Sequence, residues 1–218
     1  MKPLVVIPTF NTNNVINVLI DKILEQCKID ILIIDDGSKD KIRLNNYKNV
    51  VLMRNKTNQG KGYTLKKSIK YALLNNYSHI ISIDSDLQHD PKHVNEFLEL
   101  DRDIDIVFGY RKFSNPMPIH RIFSNKITSF IISFLVKQKI KDSQTGYRPY
   151  KLSLFKDVRL SENGFHFESE LILKCVNKKT KIGHILIETI YNNSISSIRN
   201  FSDTIKFIKL IIRHCFAR

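Results

Sequence analysis

Three carboxylates, an amide and a histidine crowd the end of one apolar run, where IISI gives way to Asp84-Ser85-Asp86-Leu87-Gln88-His89-Asp90. Asp84 and Asp86 are two positions apart, so on extended backbone they point to the same side. Two hard oxygen donors on one side suit Mg²⁺ or Mn²⁺ carrying a diphosphate. Asp-x-Asp is common at exposed strand ends, however, and the spacing alone does not single out a metal. Two further polar clusters follow apolar runs in the same way: Pro8-Thr9-Phe10-Asn11 after LVVI, and Asp35-Asp36-Gly37-Ser38 after ILII.

Something must bring these clusters together, and the chain around them alternates β-branched runs with segments of helical period. Strands are expected at Leu4–Ile7, Ile31–Ile34, Val50–Met53, His79–Ile83 and Asp105–Phe108. Between them, Asn14–Cys27 puts Val15, Val18, Leu19, Ile23 and Leu24 on one helical face, and Thr64–Leu74 does so with Leu65, Ile69, Ala72 and Leu73. Asp90-Pro91 reads as a helix start, with Asp as the cap. The alternation implies an α/β class with a mainly parallel central sheet flanked by helices, Rossmann-like in plan. In such sheets ligands sit beyond the carboxyl ends of the strands, where all three clusters lie.

The 218 residues, 42% of them apolar, suit one large domain. The longest uncharged apolar run, Ile127–Val136, is too short for a bilayer core of about 30 Å, and MKPLVVIPTF has no signal-peptide layout. A cytoplasmic location is expected. Cys27, Cys175 and Cys215 are odd in number and scattered, which implies reduced, mostly buried thiols and neither a disulfide framework nor a structural zinc site. A net charge of +14 permits an anionic partner: a phosphorylated substrate, an anionic membrane face or nucleic acid.

The order VIPTFN, IIDDGS, NQGKG, IDSDLQHDP resembles the family 2 inverting glycosyltransferases of GT-A fold. Phe108-Gly109-Tyr110-Arg111 and Asp142-Ser143-Gln144-Thr145-Gly146-Tyr147-Arg148-Pro149-Tyr150 narrow the likeness to the polyprenol-phosphate sugar synthases, such as dolichol-phosphate mannose synthase. The resemblance implies a single GT-A domain over residues 1–218, with a nucleotide-sugar half at 1–110 and an acceptor and membrane half at 111–218. It implies that Pro8, Thr9, Phe10, Asn11, Asp35, Asp36, Lys61, Asp84 and Ser85 line the pocket for a UDP- or GDP-sugar. Asp84, Asp86 and Gln88 would hold a divalent cation, Mg²⁺ or Mn²⁺, on its diphosphate, which neutralises the charge left on the nucleotide.

A lipid phosphate acceptor is already ionised at neutral pH and needs no base, so cations matter more than carboxylates. Arg111, Arg121 and Arg148, with Ser124, are expected around that phosphate, and Arg111 and Arg148 join Asp84 and Asp86 as the catalytic set. A saccharide hydroxyl acceptor would instead need a base, for which Glu168 and Glu170 are the candidates, with no carboxylate assignable to orient His166. Membrane association follows from Ile119–Lys137, where Ile119, Phe123, Ile127, Phe130, Ile131, Phe134 and Leu135 share a face near Arg121, Lys126 and Lys137. It follows too from Thr204–Arg218, where Ile205, Ile208, Ile211, Ile212 and Cys215 alternate with Lys206, Lys209, Arg213 and Arg218. Packing of both helices on the core is the plain alternative, and the tail also suits a homodimer contact or a membrane-protein partner. The chain is thus expected to lie peripherally at the inner face of the membrane.

Three departures from the family stand out. Thr12 replaces the acid of PTYNE, Ser124-Asn125 replaces a Ser-Arg pair, and Ser194-Ile195-Ser196-Ser197 replaces a Gly-x-Ser-Lys pattern. A basic nucleic-acid-binding module would need surface aromatics interleaved with basic residues. The basic residues here cluster near apolar helices instead, so no nucleic acid is expected.

Overall fold

The computed structural model describes residues 2–100, 103–112, 117–188 and 200–216. Strands β1 (Pro3–Thr9), β2 (Asp30–Asp35), β3 (Val50–Arg54), β4 (His79–Ser82), β5 (Ile106–Tyr110), β6 (Arg148–Lys151) and β7 (Ile182–Leu186) form one sheet in the order β3-β2-β1-β4-β6-β5-β7. Pairing is parallel except at β6, which runs antiparallel between β4 and β5. The five sequence-expected strands are present, each within two residues of its expected ends, while β6 and β7 are additional.

The pleat sorts the core into two layers. Val5, Ile7, Ile31, Ile33, Ile81 and Val107 face helices α1 (Asn13–Gln26) and α3 (His93–Glu99). Leu4, Val6, Leu32, Ile34, Ile80 and Phe108 face α2 (Lys61–Leu74), α4 (Ile119–Val136), α5 (Phe167–Cys175) and α6 (Asn200–Phe216). On α1 the buried residues are Ile16, Leu19, Ile20 and Ile23, so the face is turned relative to expectation and Val18 is exposed. On α2 Leu65, Ile69 and Ala72 are buried, and Leu73 is exposed. Helix α3 starts later than Asp90-Pro91: the Asp90 carboxylate accepts the Lys92 N–H in a tight turn, and the helix begins at His93. All three cysteines are free, Cys175 buried and Cys215 exposed, which corrects the expectation for the last.

Helix α4 differs from the others. Asn125, Thr128 and Ser129 are buried, while Ile119, Phe123, Ile127, Phe130 and Phe134 are exposed, the three phenylalanines by 67%, 73% and 74%. Only its C-terminal turns send apolar groups, Ile132 and Val136, into the core. Helix α6 repeats the pattern in part, burying Leu210 and exposing Ile205, Ile208, Ile212 and Phe216. Packing of the whole apolar face of either helix on the core is therefore excluded. Ser194-Ile195-Ser196-Ser197 and Arg218 lie outside the described residues.

Candidate active site

The carboxyl ends of β1, β2 and β4 meet in one crevice because consecutive parallel strands deliver their exits to the same edge. The exits of β1 and β2 are stitched together. Asp36 N donates to the Thr9 carbonyl at 2.8 Å, Asn11 N donates to Ser38 Oγ at 2.8 Å, and Asn11 Oδ1 accepts Lys39 N at 2.9 Å. Asn11 adopts φ +56°, a left-handed conformation that Asn tolerates, and this turns the chain so that Phe10 stands exposed at the crevice. Pro8, Thr9 and Ser85 are buried in its floor.

Asp35 and Asp36 organise these loops rather than face solvent. Asp35 Oδ1 accepts Ser38 N at 2.9 Å and Ser38 Oγ at 2.5 Å, and Oδ2 pairs with Arg54 at 2.6 Å. Asp36 Oδ1 accepts Asn55 Nδ2 at 2.7 Å and Gln59 N at 3.0 Å, and Oδ2 accepts Gly60 N at 2.7 Å. Both carboxylates are buried and engaged within the protein. Asp36 is what shapes the Asn58-Gln59-Gly60 turn that launches α2, and Gly60, at φ +98° with the Asn163 carbonyl against it, has no room for a side chain.

Asp84 and Asp86 follow β4, both half-buried. Burial alone would raise Asp84, but Lys61 Nζ at 2.6 Å from Oδ1 holds its carboxyl below the usual range. Asp86 is pushed up by burial and then by the neighbouring Asp84 charge, while its Oδ1 accepts Gln88 N at 3.0 Å. Lys61 Nζ also lies 2.8 Å from Glu168 Oε1 on α5, and the two carboxylates together raise its pKa against the effect of burial. Two carboxylates with an adjacent amide, one carboxylate strained by the charge of the other, form a donor set that fits a hard divalent cation. Among the described residues no group of three or more His, Cys, Asp or Glu side chains is placed to hold a metal ion by itself.

The loop 142–147 forms the opposite wall. Ser82 Oγ donates to the Gly146 carbonyl at 2.6 Å, and a Cβ on Gly146 would fall 2.6 Å from both Asp84 Oδ2 and Lys61 Nζ. Ser129 and Ser143 hydroxyls meet at 3.1 Å, and Gln144 Nε2 donates to Thr128 Oγ1 at 3.0 Å, so the buried polar face of α4 grips this loop. Arg111 is held by a two-bond pair with the fully buried Asp142, Nε at 2.7 Å and Nη2 at 3.1 Å.

Several expected residues are placed otherwise. Arg148 is 0% exposed: Nη2 donates to the carbonyls of Thr145 at 2.8 Å and Ser143 at 3.3 Å, and its guanidinium lies 4.5 Å over the Phe108 ring. In that place the side chain supports the loop from behind, with Nε and Nη1 left without a hydrogen-bond partner. Glu170 accepts Ser161 N at 2.9 Å and Glu162 N at 2.8 Å and pairs with Lys174 at 2.8 Å; burial would raise its carboxyl, yet these donors hold it low. It caps the 161–162 turn. Glu168 is engaged by Lys61. Arg121 is half-buried and Ser124 exposed on α4. Asn125, where the family has Arg, is buried with Nδ2 3.9 Å from Met117 Sδ.

The sequence reading missed some supports. Thr12 Oγ1 bonds Thr9 Oγ1 and, at 3.2 Å, Ser85 Oγ, so the position that lacks the acid ties β1's exit to the middle of Asp84-Ser85-Asp86. His89 is buried with Nδ1 unbonded, its ring 5.5 Å from Tyr147, and burial lowers its pKa to about 4. The Gly-Tyr of Thr145-Gly146-Tyr147 carried the signal for the loop, but no periodicity shows what a loop packs against.

The model of the glycosyl transferase family 2 matches residues 4–159. A protein of Methanocaldococcus jannaschii without an assigned activity, MJ0544, is 34% identical over 97% of this chain and 98% of its own length. The polyprenol monophosphomannose synthase of Mycolicibacterium smegmatis is 25% identical, covering 81% of this chain and 72% of its own. Among solved structures, the glucosyl-3-phosphoglycerate synthase of Mycobacterium tuberculosis with UDP superposes at TM-score 0.75 and 16% identity, over 98% of this chain and 79% of that one. The same enzyme has been solved with Mn²⁺, UDP and phosphoglyceric acid, at TM-score 0.67. With its strand exits, its Asp84-Ser85-Asp86 turn and its mixed seven-stranded sheet, the chain belongs to glycosyl transferase family 2 and is a glycosyltransferase of GT-A fold.

Proposed function

We propose that the protein transfers a sugar from a UDP- or GDP-sugar to a polyprenyl phosphate while lying peripherally on the cytoplasmic face of a membrane. One observation carries the acceptor side of this reading: the same loop, 142–147, touches Asp84 through Gly146 and helix α4 through Ser143 and Gln144, and α4 turns Phe123, Phe130 and Phe134 outward. An acceptor carried in a lipid surface would arrive beside the acidic strand exit. The relative named a polyprenol monophosphomannose synthase supports that choice.

Each part then has a task. Phe10 and Asn11, with the loops shaped by Asp36 and by Thr12-Ser85, form the walls for the nucleotide. Asp84, Asp86 and Gln88 would hold the divalent cation, which when bound supplies charge neutralisation on the diphosphate leaving group. Arg111, fixed by Asp142, offers its guanidinium to the acceptor phosphate, and pre-organisation by a buried carboxylate limits the entropy lost on contact. The acceptor oxygen is already an anion, so no proton need be taken from it and Glu168 is left to its lysine. Attack on the anomeric carbon from the side opposite the nucleotide inverts the configuration.

No helix among the described residues is long and apolar enough to cross a membrane. Attachment would rest on the outward faces of α4 and α6 and on Lys126, Lys137, Lys206 and Lys209 nearby, with apolar insertion and anionic headgroups acting together. The test is a screen of UDP- and GDP-sugars for nucleotide release, with and without a short polyprenyl phosphate and Mn²⁺. Turnover that requires the lipid phosphate is expected. Release driven by a saccharide acceptor alone, or by no acceptor with any donor, would overturn this reading.

A further inference from the structure

The crevice already contains a cation of its own. Lys61 Nζ stands between Asp84 Oδ1 and Glu168 Oε1, at 2.6 Å and 2.8 Å, with its side chain only 16% exposed. Neither acid alone explains the arrangement: Asp84 belongs to the strand exit, whereas Glu168 is buried on α5 and brought there by a separate segment. The space between them is kept open by Gly146, where any Cβ would strike both Lys61 Nζ and Asp84 Oδ2.

Bringing Asp84 beside Asp86 without a positive charge would leave two carboxylates repelling one another in a half-buried site. Lys61 relieves this on Asp84, yet in doing so occupies one oxygen that a divalent ion needs. Glu168 removes the conflict. It needs a counter-charge in every state because it is buried, so it offers the ammonium a partner that persists when Asp84 turns to another cation.

We propose that Lys61 is a built-in stand-in for the divalent ion on Asp84, and that Glu168 is the berth to which it withdraws. Both are positioning residues: they set how readily Asp84 accepts the ion. This rests on the reading of Asp84 and Asp86 as its ligands. Glu168 acts through Lys61, so its removal binds the ammonium more closely to Asp84 and weakens ion binding. Removal of Lys61 frees Asp84 and strengthens it. With Lys61 gone, Glu168 should no longer matter.

The experiment measures Mn²⁺ binding to the full chain from the electron paramagnetic resonance of free Mn²⁺, alone and with UDP or GDP, in wild type, Glu168→Gln, Lys61→Met and the double variant. Expected are about tenfold weaker binding in Glu168→Gln and about tenfold tighter binding in Lys61→Met, the effect of one close charge at a partly buried site. The double variant should match Lys61→Met within about twofold, the non-additivity that marks action through a shared partner. Should Lys61→Met not fold, Lys61→Gln, which keeps N–H donors for both carboxylates, replaces it. Shifts of the same sign in both single variants, no shift, or a Glu168→Gln loss that persists without Lys61 would each overturn the inference. Wild type that binds no Mn²⁺ under any of these conditions would instead overturn the functional reading beneath it.

Discussion

Helix α1 sends Ile16, Leu19, Ile20 and Ile23 against the sheet and leaves a mostly polar back to solvent, whereas α4 sends Asn125, Thr128 and Ser129 inward and leaves five large apolar side chains outside. Both have an apolar stripe of helical period. On α4, Ile119, Phe123, Ile127, Phe130 and Phe134 fall within an arc of about 80° at 100° per residue, so the stripe is as well formed as any core-facing one. The difference lies in what the other face must do. Helix α1 covers the sheet with its inward face and meets the 40–45 loop only at its rim, through Asn13 and Asn17, but α4 has to hold with its inward face a loop whose serine and glutamine need hydroxyl partners, and a face of Asn, Thr and Ser meets that need. The outward stripe is then an exposed apolar patch of the kind that marks an interaction surface.

Substitutions should separate the chemistry from both helices. In Asp86→Asn the two helices keep their packing, and kcat for transfer should fall by about 10²–10³-fold, the size of effect seen when one charge-stabilising group is lost. Steady-state turnover beside an unchanged melting curve checks this; activity retained at saturating Mn²⁺ would remove Asp86 from the ion's ligands.

Next in size, the two faces should respond oppositely. Ile20→Ala on α1 opens a cavity in a fully buried position and should cost about 2–5 kcal/mol, a fall in Tm of roughly 5–15 °C for a chain of this length. The combined change Phe123→Ser, Phe130→Ser and Phe134→Ser should leave Tm within about 2 °C, since exposed positions contribute little to stability. Co-sedimentation with phosphatidylglycerol vesicles should drop for the triple variant and not for Ile20→Ala at temperatures where it stays folded. Each lost phenylalanine forfeits up to about 1.5–3 kcal/mol of apolar burial. If the triple variant melts early and still binds vesicles, α4 is a core helix and the comparison fails.

How much of this could be read from residues alone varies by region for a physical reason. The strands β1, β2, β4 and β5 and the ends where Asp84, Asp86, Asn11 and Asp36 stand were legible because buried strands are continuous apolar runs and their exits are abruptly polar, while the edge strand β3, with Val51 and Leu52 exposed, was legible from its β-branched run alone. The stripe on α4 was legible too, but not which way it faces: periodicity gives the arc, and only the partner, here loop 142–147, decides whether it points in or out. The surroundings of Arg148 were illegible for a related reason. An arginine beside an expected phosphate site looks like a ligand, and nothing in the sequence tells that Phe108 and the Thr145 carbonyl lie closer. The Lys61–Glu168 pair joins positions far apart in the chain, and spacing cannot reveal such a meeting. Strand β6 is only four residues long and contains a proline, too weak a signal for a strand at the middle of the sheet.

The smallest effect is an acid one, and it should discriminate between the two helices by location. His184 on β7 lies 5.7 Å from the Phe108 ring, and its Nε2 accepts the Lys141 N–H at 3.4 Å, just beyond the end of α4. Burial, and then the charges of Lys141 and Lys139, lower its pKa to about 4. In the unfolded chain a histidine titrates near 6.5, so between these values the unfolded state binds the proton and the folded state does not. The stability that His184 contributes is therefore fully present above pH 6.5 and is lost as the pH falls from there towards 4. Wild type should lose Tm over that window by more than His184→Gln does, the amide being able to accept the same N–H without charging. Amide exchange at pH 5 should rise first in residues 137–142 and β7, with α1 unchanged; equal loss of protection in α1 would place the acid-sensitive group elsewhere.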